Sequence, residues 1–74
     1  MKLSRIQKML IALLKNTNVD ENRIIGIALL LQKSEDAMIE LGMYIEQKKP
    51  TEEQILMKAV EIHDRLPKEL QTAE

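Results

Sequence analysis

Residues 24–31 read Ile-Ile-Gly-Ile-Ala-Leu-Leu-Leu, eight positions without a polar side chain. Their length would allow a buried strand. The polar residues on either side lack turn chemistry, however, and Leu and Ala favour helix. A helix that is apolar all round is buried all round. In a chain of 74 residues it is therefore expected to be central, or shared with a second subunit. Eight residues are far fewer than the roughly 20 needed to cross a membrane.

The rest of the chain supplies helical partners for that run. Strand signals are almost absent: there are two Val and one Tyr, and no alternating apolar–polar stretch bounded by turns. The expected fold is all-α, a compact bundle of three to four short helices over about 4–15, 19–32, 35–48 and 52–66. Residues 1–67 form the single domain and 68–74 a flexible tail.

Three of the helix starts carry capping-box spacing, in which a cap side chain and a Glu or Gln three residues on satisfy each other's free backbone amides. These pairs are Ser4 with Gln7, Asn18 with Glu21, and Thr51 with Gln54. Ser34 is the expected cap of the third helix, with Glu35 and Asp36 in its first turn. Leu3, Ile6, Leu10, Leu13 and Leu14 make one stripe on the first helix. Met38, Leu41 and Ile45 do so on the third, and Ile55, Ala59, Ile62 and Leu66 on the fourth. Pro50 and Pro67 close the last two helices. Gly26 and Gly42 interrupt helical patterns, where glycine is unfavourable by about 1 kcal/mol relative to Ala. The reading adopted is that another element approaches each closely, and that Leu41 and Ile45 keep one stripe across Gly42.

Composition excludes several chemistries. The chain has no Cys, one His and two Gly, so it has no disulfide frame, thiolate site, Cys nucleophile or glycine-rich phosphate loop. His63 has Ala59 and Pro67 four residues away, so it lacks the i, i+4 ligand pair of a helical metal site. Ser4, Thr17, Ser34 and Thr51 are accounted for as caps or turn residues. No enzyme activity, cofactor or metal is expected. Residues 1–14 begin basic and turn apolar, but Arg5, Gln7 and Lys8 interrupt them, and 15–18 do not form a small-residue cleavage site. The expected location is the cytoplasm.

Charge is nearly balanced at −1 but unevenly spread. Residues 1–18 carry +4 from Lys2, Arg5, Lys8 and Lys15, and residues 35–48 carry −3 from Glu35, Asp36, Glu40, Glu46 and Lys48. The apolar side chains also outnumber what a small core can hide. Ile, Leu, Val and Met come to 27, while a domain of this size buries only about 60% of its unfolded surface. A second subunit covering leftover apolar faces is the expected remedy, so the chain is expected to act by protein–protein association as a homodimer. The expected interface is Ile24, Ile27, Leu30, Leu31, Met38 and Met43.

Residues 27–34, followed by Ala37, Met38 and Leu41, resemble a helix-turn-helix. A small residue lies in the first helix, an apolar one at its end, Ser34 opens the second helix, and apolar residues follow inside it. Gln32 stands where the turn usually has Gly, and Lys33 where it has an apolar residue. The resemblance implies a nucleic-acid-binding or regulatory protein, the alternative to association. Glu35, Asp36 and Glu40 at the start of the would-be recognition helix oppose a polyanion, so nucleic acid is not the expected partner.

Overall fold

Each helix is fixed by its ends and by one buried stripe. The computed structural model describes residues 4–71. Leu3 and Lys2 lie outside them, as do 72–74 of the expected tail. Four helices follow one another: α1 (Arg5–Asn16), α2 (Glu21–Leu30), α3 (Glu35–Lys48) and α4 (Glu52–Arg65). The described residues contain no strand, and the fold is the all-α bundle of short helices that the pattern predicts.

Two capping boxes form. Ser4 Oγ accepts from Gln7 N–H at 3.1 Å while Gln7 Oε1 accepts from Ser4 N–H at 3.4 Å. Thr51 and Gln54 make the same exchange at 3.3 and 2.9 Å. Ser34 Oγ accepts from Ala37 N–H at 3.2 Å and opens α3. The expected cap at Asn18 is corrected: Asn18 has φ 63° and belongs to the turn. Its left-handed backbone, which Asn tolerates, sends Val19 into the core, where it is 6% exposed. Capping passes to Asp20, whose carboxylate accepts from Asn22 N–H at 3.1 Å. For that reason α2 begins at Glu21 rather than 19.

The four helices close a ring: α1 packs on α2 and α3, and α4 packs on the same two. The core at its centre contains Leu10 and Leu14 from α1, Ile24 and Ile27 from α2, Met38, Leu41 and Ile45 from α3, and Ile55, Ala59 and Ile62 from α4. No helix is central. One side of α2 faces in through Ile24, Ile27 and Ala28, with Leu31 just beyond its end. The other side leaves Ile25 54% and Leu29 42% exposed. This corrects the expectation that α2 is central: in a ring of four each helix has two main neighbours.

Helix α3 runs unbroken through Gly42, which is buried; a Cβ there would sit 3.4 Å from Leu13 Cδ1. The neighbour at Gly42 is the Leu13 side chain at ordinary contact distance, not another backbone, and at Gly26 an added Cβ would meet nothing within 4 Å. Helix α3 ends at Lys49, in the left-handed region at φ 47°, ahead of buried Pro50. Residues 68–70, expected to fray, make a single 3-10 turn, and Gln71 Nε2 donates back to the Leu66 carbonyl at 2.9 Å.

Candidate protein interface

The six side chains expected at an interface divide between inside and outside. Ile24, Ile27, Leu31 and Met38 are at most 3% exposed and are packed inside a single chain. The ring of helices closes over these four. Leu30 is half-buried against the same core, and Met43 is half exposed.

The surface carries its own apolar side chains in three places. On α2 they are Ile25 and Leu29, one turn apart. On α4 they are Met57 and Val60, beside an open hollow that also contains Gln54, Lys58 and Glu61. There Lys58 Nζ lies 3.2 Å from Glu61 and 5.4 Å from the centre of the Tyr44 ring, so charge divides that patch. The third place lies between α1 and α3, where apolar side chains of both helices border one depression.

That depression is a cleft of about 120 Å³. Ile6, Leu13 and Gly42 contribute to its walls. Its lips are Met9 from α1 and Ile39 and Met43 from α3, which are 60%, 44% and 50% exposed. Within the cleft Gly42 lies against the Leu13 side chain, while the larger neighbours on both helices stand out beside it. Two of the three lips are methionines, whose unbranched thioether chains adapt to a partner's shape.

Acid flanks the α3 lip through Glu35, Asp36 and Glu46, and base flanks the α1 lip through Arg5; all four are exposed. Among the described residues the inter-helix ion pairs are Arg23–Glu52 at 3.1 Å and Arg65–Glu40, and none joins α1 to α3. The opposite charges of these two neighbours are thus left unmatched within the chain.

The polar side chains that chemistry would require are engaged locally. Ser4, Ser34 and Thr51 cap helices, and Thr17 Oγ1 donates to the Leu13 carbonyl at 2.8 Å. His63 Nδ1 lies 3.4 Å from its neighbour Asp64. Among the described residues no three His, Cys, Asp or Glu side chains gather to hold a metal, and no helix is long and apolar enough to cross a membrane. Comparison of the chain with protein families, characterised proteins and solved structures finds no match.

Of the three lips, the expected interface set includes Met43 but not Met9 or Ile39. The available signal was the pair Ile39 and Met43, one turn apart on a flank different from the Met38–Leu41–Ile45 stripe, together with Met9 at the edge of the α1 stripe.

Proposed function

We propose that this chain is a small non-enzymatic protein that works by protein–protein association, and that its partner is a second copy of itself. The observation that carries the reading is the α1–α3 cleft, where three large apolar side chains stand half exposed around one depression. Covering them removes apolar surface from water at roughly 25 cal/mol per Å². A face of two helices about 18 Å long, at 1.5 Å per residue over the 12 residues of α1, lies at the small end of specific interfaces.

Sedimentation equilibrium from low to high micromolar concentration tests this. The expected mass rises towards twice 8.6 kDa. A mass of one chain across the whole range overturns the reading.

A nucleic-acid reading draws support from one feature: a three-residue turn separates α2 from the Ser34 cap of α3. Against it, α3 turns Met38, Leu41 and Ile45 inward and leaves Glu35, Asp36 and Glu46 outward, the wrong sign for a phosphate backbone.

A further inference from the structure

We infer that the α1–α3 face pairs with the same face of a second copy about a two-fold axis parallel to the two helices, so that α1 of each copy lies over α3 of the other. The inference rests on the homodimer reading and names its surface and geometry.

The two helices run side by side in the same direction. The cleft is bordered by residues 6–13 of α1 and 38–46 of α3, and the next hollow by residues 13–17 and 45–49, so the two chains of residues advance together. The outward ridge of α1 is Arg5, Met9, Ala12 and Asn16. That of α3 is Glu35, Ile39, Met43 and Glu46. All eight are exposed. Both ridges repeat at the three- and four-residue spacing that keeps side chains on one helix face.

An isologous pair can place these ridges in two ways. With the axis across the helices, α3 lies antiparallel on α3. Glu35 then comes to the end where the partner's Glu46 stands, and like charges meet. With the axis along the helices, α1 lies parallel on α3. Arg5 then meets Glu35, Met9 meets Ile39, Ala12 gives room to Met43, and Asn16 meets Glu46. Charge selects the second arrangement, and each pairing occurs twice. It also satisfies the opposite charges that the single chain leaves unmatched between α1 and α3. The α4 face is crossed by the Lys58–Glu61 ion pair. On α2 the exposed Ile25 and Leu29 lie between exposed Glu21 and Lys33, so that face is the competing surface, and Leu29→Glu tests it.

Sedimentation equilibrium of surface variants tests this, with far-UV circular dichroism as the check on folding. Met43→Glu is expected to abolish the dimer with helicity unchanged. Arg5→Glu turns two attractions into two repulsions and is expected to weaken association about tenfold. Its new acid suits the first turn of α1, so that loss is not unfolding. Glu35→Arg is expected to act likewise. Combining Arg5→Glu with Glu35→Arg is expected to restore association to within about threefold of the starting chain. Leu29→Glu on α2 is expected to leave it unchanged. A dimer that survives Met43→Glu, dissolves on Leu29→Glu, or is not restored by the charge exchange overturns this face while leaving the association reading intact. An unaltered chain that stays monomeric overturns the association reading itself.

Discussion

The side-chain amide of Gln7 donates to the backbone carbonyl of Ala28 at 3.4 Å, across 21 residues of sequence. Ala28 lies in the last turn of α2, where carbonyls lose their intrahelical partners. Gln7 is only 6% exposed, and its Oε1 simultaneously accepts from Ser4 N–H. One side chain therefore closes the start of α1 and ties it to the end of α2.

Replacing Gln7 should test both roles. Gln7→Leu keeps the volume but removes the acceptor for Ser4 and the donor for Ala28, and should destabilise the chain by about 1–2 kcal/mol. Gln7→Glu retains an acceptor for Ser4 but directs a buried carboxylate at a carbonyl, and should be worse than Gln7→Leu at neutral pH. Urea unfolding monitored by circular dichroism measures both. A Gln7→Glu variant as stable as the starting chain would show that this bond does not hold the helices together.

Much of this fold was legible because it is written locally. Ser4 with Gln7 and Thr51 with Gln54 are complete within four residues, so the starts of α1 and α4 follow from spacing alone. The stripes through Leu41 and Ile45, and through Ile55, Ala59 and Ile62, name their own buried faces. Helix α2 is where the pattern fails. Ile24, Ile25, Ile27, Leu29 and Leu30 are nearly equivalent in hydrophobicity, so no periodicity says which side faces in. That choice is made by α1 and α4, which pack against Ile24 and Ile27. Gln7 was legible as a cap but not as a tertiary contact, because the Ala28 carbonyl is a backbone group that carries no sequence signal. Asn18 and Asp20 are both good caps. What separates them is the need to bury Val19, which is also a tertiary matter.

Gly26 invites a second test. Its φ is not positive, and a methyl group there meets nothing within 4 Å. Gly26→Ala should therefore stabilise the chain by about 0.5–1 kcal/mol, through helix propensity and a less flexible unfolded chain. Association should be unchanged, because α2 is not the paired face. Thermal unfolding and sedimentation of the same sample check both halves. A destabilised Gly26→Ala variant that also loses its dimer would mean that another backbone packs on α2 at this glycine.

The last prediction concerns duplex DNA, where the helix-turn-helix resemblance and the structure point in different directions. A duplex carries one negative charge per roughly 1.7 Å of its axis. Helix α3 would bring Glu35, Asp36 and Glu46 to it, while Glu40 is paired with Arg65 of α4. The exposed cations on α1 are Arg5, Lys8 and Lys15. Arg5 lies beside the cleft. Arg5, Lys8 and Lys15, at i, i+3 and i+10, share one exposed side of α1, so they form a short row that three phosphates could follow. Phosphate contacts of this kind position a protein without reading sequence. No sequence-specific binding is expected near physiological salt. At low salt only weak binding is expected, its logarithm falling with log salt at a slope of about −3 or shallower if no more than three phosphates are engaged. That residual binding should vanish in Arg5→Gln combined with Lys8→Gln. Selection from random oligonucleotides followed by a mobility-shift titration decides the matter. Enrichment of a defined motif, lost on substitution of Gln32, Lys33 or Glu40, would make the α2–α3 pair a reader of DNA and displace self-association as the leading role.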